Sequence, residues 1–351
     1  MRKILNRHLK KSKYMQIFKL DKPFRLECGA CLPEISLTYN TYGRINADKS
    51  NVIWVCHALT ANSDVKSWWP DTVEKDRFLD PDKHFIICAN ILGSCYGTTG
   101  PLSINPLTNK PYLRDFPVVT VKDIVKAHRL LASYLNIDKV KVLIGSSIGG
   151  FQALQWAVDC PDFAEKLVII ATSAKTSPWV AAFNESQRMA IESDSTFYTD
   201  DVKGGMKGLA SARSIALLSY RGGLAYNKTQ ADTQDDNSLL FHRACTYQRY
   251  QGEKLCKRFN AYSYYRLTQS IDSHDIGRYH DGIENALQSV KSATLIVAIS
   301  SDILFPVAEH DFMAKHIPDA EYHVINSDFG HDGFLVESGQ LNEIIGKFIN
   351  K

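Results

Sequence analysis

Residues 140–158 hold the side chain best suited to covalent chemistry. The β-branched run 140–144 predicts a buried strand. It leads into Gly145-Ser146-Ser147-Ile148-Gly149, a G-x-S-x-G pattern, and then into a predicted helix over 151–158. Strand, sharp turn and helix are the setting of a nucleophile elbow. A serine on a strained turn needs neighbours without bulky Cβ groups, so that backbones can approach closely. Ser147 Oγ would then stand clear of the sheet, with the first amides of the helix aimed at charge developing beside it. Outside that setting the pattern is only a Gly/Ser-rich turn.

A serine that transfers acyl groups needs a base, and the base needs an orienting carboxylate. After such an elbow the chain order is serine, acid, histidine. Asp302 follows the predicted strand 295–299, at a strand end that would present it to the site. Its alternative is a turn aspartate that caps the next helix. His331, in Ser327-Asp-Phe-Gly-His331-Asp-Gly-Phe, lies on the loop after a strand ending near Ile325. Two amides should hold the oxyanion: that of Ile148, after the nucleophile, and one from the loop His57-Ala-Leu-Thr60, where Leu59 is the candidate. His57 comes too early in the chain to be the base and reads as a structural loop residue. Cys28-Gly-Ala-Cys31 is a lone C-x-x-C without a second pair at zinc-like spacing, so no metal is expected.

These residues need a scaffold, and the periodicity supplies one. Short alternating segments at 24–27 and 35–42 suggest antiparallel strands. Buried strands follow at 51–56, 84–89 and 166–171, with a helix over 121–135. Strands alternating with helices imply an α/β fold with a mostly parallel, doubly wound sheet. From 177 to 281 the pattern turns helical, polar and aromatic, clearest at 181–193 and 208–221. The α/β rhythm returns at 293–299 and 321–325, and a helix over 340–348 follows. The expected organisation is a core of residues 16–176 and 282–351, split by a helical lid over 177–281. Such an insertion follows a strand's C-terminal end, where these sheets bind ligands.

The chain has 351 residues, 44% hydrophobic and 23% charged. That is enough for a sizeable core needing neither disulfides nor metal. A net charge of +3 is too mild to argue for nucleic acid or membrane partners. Residues 1–15 form a basic segment, with Arg2, Lys3, Arg7, Lys10, Lys11 and Lys13 and no acid. It reads as a frayed N-terminus, or as a start placed too early with Met15 the real one. Lys10, Lys11 and Ser12 break the apolar stretch a signal peptide needs. No run approaches the roughly 18 apolar residues of a membrane span, and a cytoplasmic location is expected. The eight cysteines include several in apolar runs, and read as small buried hydrophobes of a reducing compartment.

Longer motifs narrow the reading. His57-Ala-Leu-Thr60, Ala89-Asn-Ile-Leu-Gly-Ser-Cys-Tyr-Gly-Thr-Thr-Gly-Pro101, Asp115-Phe-Pro-Val-Val-Thr-Val-Lys-Asp123 and Asn184-Glu-Ser-Gln-Arg188 resemble the homoserine O-acetyltransferase family of α/β hydrolases. So do Gly208-Leu-Ala-Ser-Ala-Arg213, Ser219-Tyr-Arg221, Ser301-Asp-Ile-Leu-Phe-Pro306 and Gly330-His-Asp-Gly-Phe-Leu335. The likeness runs from about Phe24 to the C-terminus. It implies the α/β-hydrolase fold and a ping-pong transfer of acetyl from acetyl-CoA to L-homoserine, in methionine synthesis. Acetyl-CoA would be a co-substrate, with no bound cofactor. Ser147, Asp302 and His331 match the family triad. Arg213 matches the arginine that grips the substrate carboxylate, Tyr220 a tyrosine lining that pocket, and Asp332 the aspartate that binds the ammonium. A homodimer through the lid helices is also implied. Two motifs depart: Gly145-Ser-Ser-Ile-Gly-Gly150 replaces the commoner Gly-Gly-Ser-Met-Gly-Gly, and Thr60-Ala-Asn-Ser-Asp64 replaces a Thr-Gly-Asp pattern. Succinyl-CoA as donor, serine as acceptor, a plain esterase and a non-catalytic binding protein stay open as alternatives.

Overall fold

The run Val-Ile-Trp-Val-Cys at 52–56 is buried along its whole length, which only the middle of a sheet covered on both faces permits. In the computed structural model, which describes residues 15–233, 239 and 242–351, it forms β3 (Val52–Cys56). The basic segment 1–14 lies outside the described residues. The other main strands are β1 (Met15–Leu20), β2 (Ile35–Tyr42), β4 (Phe85–Ala89), β5 (Val140–Ser146), β6 (Ala164–Ile170), β7 (Ala293–Ile299) and β8 (Ala320–Ile325). They make one eight-stranded sheet in the order β1-β2-β4-β3-β5-β6-β7-β8. β2 pairs antiparallel with β1 and β4; the remaining pairs are parallel. This is the α/β-hydrolase sheet.

Alternation along β3 divides the core into two layers. Val52, Trp54 and Cys56 face one, Ile53 and Val55 the other. The first layer holds α1 (Val121–Tyr134) and α2 (Ile148–Asp159). α1 starts at a capping box: Thr120 Oγ1 accepts from the Asp123 amide at 3.2 Å, and Asp123 Oδ2 accepts from the Thr120 amide at 3.0 Å. α2 is buried from Ile148 to Val158, and its Trp156 sits edge-on to Trp54 at 5.1 Å. α2 begins three residues before the predicted helix. Gly149 and Gly150 depress helix propensity, but packing against β3 and β6 overrides it.

Between β6 and β7 come α3 (Pro178–Glu192), α4 (Met206–Tyr220), α5 (Gly223–Thr229), α6 (Arg243–Cys256), α7 (Ala261–Asp272) and α8 (Ile283–Gln288). The chain leaves the core and returns through a paired neck. Lys175 bridges Asp275 antiparallel, the Thr176 amide donates to His274 O at 3.0 Å, and the Ile276 amide to Ala174 O at 3.1 Å. A 2.9 Å Lys175–Asp275 ion pair closes it. After β7 come α9 (Val307–His316) and, after β8, α10 (Ser338–Ile349). Among the described residues no helix is long and apolar enough to cross a membrane. Cys56 and Cys88 are buried, as the apolar runs predict, but Cys28, Cys31 and Cys245 are exposed. Cys31 lies on a two-residue strand paired with Phe24–Arg25 at the surface, and Cys245 on α6.

Candidate active site

Ser147 follows the last residue of β5 and precedes the first of α2. Its backbone sits at φ 56°, ψ −129°, a conformation that costs a non-glycine residue roughly 1–3 kcal/mol and survives only when the surroundings enforce it. They do so by close backbone contact. A Cβ on Gly145 would fall 2.0 Å from Gly149 O, and one on Gly149 would fall 2.1 Å from Cys56 O. The Ser147 amide donates to Ile170 O at 3.0 Å, and Thr172 Oγ1 donates to Ser147 O at 3.0 Å. Ser146, beside it, is fully buried, and its Oγ has no hydrogen-bond partner among the described residues.

His331 Nε2 lies 2.9 Å from Ser147 Oγ, and His331 Nδ1 lies 2.7 Å from Asp302 Oδ2. A carboxylate only accepts, so Nδ1–H donates to Asp302 and Nε2 is left to accept from Ser147. Asp302 does not cap the next helix, which starts at Val307 behind Pro306 with no side-chain cap, but it does hold its own turn. Its Oδ1 accepts the amides of Leu304 at 2.8 Å and Phe305 at 3.1 Å, while Oδ2 holds the imidazole. Both side chains are buried, His331 among Tyr220, Phe305 and Phe334. Burial works against charge on His331. The charge and hydrogen bond of Asp302, with help from Asp332, outweigh it and raise the imidazole above its ordinary value. Ser301 ties the two loops, donating to Ser327 O at 2.5 Å and accepting the Gly330 amide at 2.9 Å. The sequence reading gave Ser301 no role, since nothing local marks a serine as a tether between distant loops.

The candidate oxyanion donors flank the serine: Leu59 and Ile148 both line the cavity over Ser147. Neither amide has a hydrogen-bond acceptor among the described residues. The loop carrying Leu59 is held from two sides. His57 is fully buried; its Nδ1–H donates to Ala58 O at 2.8 Å and its Nε2 accepts the Ile91 amide at 3.1 Å. Burial pushes that imidazole down to about 4, so it is a neutral strut. Arg258, on the turn between α6 and α7, donates to Thr60 O and to Tyr96 Oη at 2.5 Å. The sequence reading missed Arg258.

Tyr220, at the end of α4, lines the same cavity and packs tilted against His331, their rings 5.7 Å apart. Arg213, two turns earlier, lies over the Tyr220 ring at 5.5 Å and has no carboxylate within 4 Å among the described residues. Asp332 follows His331 directly. Burial raises its carboxyl above the usual range, against the lowering by Arg221, Arg213 and His331. Its Oδ2 is 2.7 Å from Arg221 Nε, a pairing the sequence reading did not foresee. α3 and α7 close the site. Gln187 Oε1 accepts from Tyr264 Oη at 2.6 Å, and Asn184 Nδ2 donates to Asp272 at 2.7 Å. The enclosed space is about 20 Å³, room for about one water. Among the described residues no three His, Cys, Asp or Glu side chains cluster to hold a metal ion. The arrangement can pass a proton from Ser147 to His331 and keep bulk water out while it does so.

The family model described as the alpha/beta hydrolase fold matches residues 51–338. The homoserine O-acetyltransferase of Cyclobacterium marinum is 44% identical over 341 residues, 97% of each chain. That of Chlorobaculum tepidum is 40% identical over 337 residues, 95% of this chain and 94% of the other. Among solved structures, homoserine O-acetyltransferase from Bacillus anthracis superposes with a TM-score of 0.89 at 24% identity, over 97% of this chain and 99% of that one. Esterase E22 superposes at 0.86 and 22% identity, over 95% and 99%. At these identities the superpositions establish the fold.

Proposed function

The chain belongs to the homoserine O-acetyltransferase family of α/β hydrolases, and from that membership we propose that it moves acetyl from acetyl-CoA to the hydroxyl of L-homoserine through an acetyl-Ser147 intermediate. His331 takes the proton of Ser147 Oγ as the oxygen attacks the thioester carbonyl. The Leu59 and Ile148 amides hold the tetrahedral oxyanion; removing one such donor from a hydrolase costs roughly 3 kcal/mol. The C–S bond breaks, the thiolate of coenzyme A takes the proton from His331, and an ester remains on Ser147. Homoserine then binds, its carboxylate on Arg213 beside Tyr220 and its ammonium on Asp332. His331 removes the hydroxyl proton, the alkoxide attacks the ester, and the proton returns to Ser147 as O-acetylhomoserine leaves.

The observation that carries this reading is the hydrogen-bonded chain Ser147–His331–Asp302 beneath a cavity with space for about one water. Transfer outruns hydrolysis only if water is excluded and the acceptor hydroxyl is pre-aligned. We assign the exclusion to the helices between residues 177 and 281, acting as a lid over a core of 16–176 and 282–351. The lid must open to admit either substrate. The same reading takes the enzyme to be a cytoplasmic homodimer in methionine synthesis, with no metal or bound cofactor.

Product analysis after mixing the protein with acetyl-CoA and L-homoserine tests it. O-acetylhomoserine and one coenzyme A per turnover are expected, with an intact-mass gain of one acetyl group when homoserine is withheld. A larger kcat/KM with succinyl-CoA would overturn the donor, and one with serine would overturn the acceptor. Acetyl-CoA hydrolysis indifferent to homoserine would make the protein an esterase.

A further inference from the structure

Four consecutive residues at the end of α4 meet the catalytic loop. Ser219 and Tyr220 line the cavity over Ser147. Arg221 ends the helix in extended backbone, φ −103°, ψ 136°, and reaches Asp332. Gly222 then rests on the loop that carries His331. A Cβ on Gly222 would fall 2.0 Å from Asp328 O, and one on Gly330, itself at φ 63°, would fall 2.6 Å from the Gly222 nitrogen. Backbone therefore lies on backbone, and Arg221 is set in register with Asp332. Arg221 Nε lies 2.7 Å from Oδ2, so the two pair by charge, although the N–H is not aligned for a hydrogen bond. Among the described residues neither Asp332 oxygen receives a hydrogen bond, and no other lysine, arginine or histidine nitrogen lies within 4 Å of the carboxylate, so Oδ1 is the oxygen left unpaired.

We propose that Arg221 is a positioning residue that fixes Asp332 by one oxygen and turns the other toward the ammonium of an α-amino-acid acceptor, so that the enzyme selects acceptors bearing the amine. The inference rests on the reading that Asp332 receives that ammonium. A carboxylate free to rotate in a mostly apolar site would meet the ammonium in many orientations; one held by a guanidinium is ready for it. Arg221 also lowers the Asp332 carboxyl against the effect of burial, as do Arg213 and His331, while Asp302 raises it. It thus favours the charged form that a cation needs.

The test separates the two half-reactions in wild type, R221Q and R221K. The burst of coenzyme A released from acetyl-CoA without acceptor reports acylation of Ser147. Transfer is then measured to L-homoserine and to 4-hydroxybutanoate, which keeps the carboxylate and hydroxyl but lacks the amine. For R221Q the burst should stay within about twofold, while KM for homoserine rises about tenfold and kcat moves far less. The preference for homoserine over 4-hydroxybutanoate, as a ratio of kcat/KM, should shrink by the same factor. R221K should recover part of it.

Equal losses on both acceptors would overturn the inference, since Arg221 would then be only a strut. So would an unchanged preference for the amine, or a burst lost in both variants. Wild type that releases coenzyme A without acylating homoserine would instead overturn the acceptor reading on which the inference rests.

Discussion

Lowering the pH from 7.5 to 5.5 should destabilise the fold by up to about 5.5 kcal/mol, through four imidazoles buried in neutral form. Burial holds His57 and His310 at about 4, and His128 and His274 at about 3. Each makes at least one hydrogen bond that fits a neutral ring: His310 Nε2, for example, accepts the Thr172 amide at 3.0 Å. The unfolded chain protonates these groups near 6.5, the native chain only near 3 or 4, so the unfolded state binds more protons below pH 6.5. Their contribution is complete above 6.5 and drains away as pH falls toward 4. At pH 5.5 each group costs about 1.4 kcal/mol, and four cost about 5.5. His331 works in the opposite sense, because its value is raised, as do Asp332 and Asp272, whose carboxyls burial also raises. The destabilisation is therefore at most about 5.5 kcal/mol. With an unfolding entropy of about 2.1 cal/mol/K per residue, 351 residues give about 0.7 kcal/mol/K, so Tm should fall by up to about 8 °C. Scanning calorimetry at the two pH values and equal ionic strength measures this. In parallel, four imidazole C2–H resonances should hold their neutral shifts down to pH 5. An equal or higher Tm at pH 5.5, or four resonances titrating near 6.5, would refute the reasoning.

Replacing Asp302 with Asn should lower kcat by about 10³–10⁴ with little change in KM, as judged by steady-state rates, because the Leu304 and Phe305 amides would keep the Asn oxygen and its NH2 would donate to Nδ1, leaving the proton on Nε2. The kcat/KM profile should rise with pH through an inflection above 6.5, since the raised His331 must be neutral to act as base; an inflection well below 6.5 would contradict the assigned geometry. Gly149→Ala should cost at least about 2 kcal/mol in urea unfolding, because its Cβ has only 2.1 Å to the Cys56 carbonyl. Arg258→Ala frees Thr60 and should slow both half-reactions about tenfold while leaving Tm within 2 °C of wild type, a split that rates and calorimetry together resolve.

The sequence was most legible where chemistry and local geometry coincide. Ser147 announces itself through a strand, two flanking glycines and a helix. Asp302 and His331 follow from chain order and from standing just beyond apolar runs. The sheet was legible because its central strands are apolar without interruption, and only both-face burial explains that. What escaped depends on contacts with no local signal. The helix after Ser147 was read as starting at Phe151, since Gly149 and Gly150 look like loop; only tertiary packing makes them helical. Arg221 and Asp332 lie far apart in the chain and pair only because Gly222 seats on the loop of His331. Arg258 reaches Thr60 from 198 residues further along the chain. The near-absence of free space over Ser147 comes from side chains of four helices and two loops, and no single segment encodes it.

The neck at Lys175 and Asp275 has an engineering consequence. Its two chains already run side by side as an antiparallel pair, a spacing that a turn of about two residues can span. The stretch between them nonetheless touches the rest of the chain at other points: Arg258 holds Thr60, Ser270 donates to Val119 O, and Gly222 rests on the loop of His331. A shorter segment closed at the neck would therefore keep the register of β6 and β7 but take those props away from the catalytic loops.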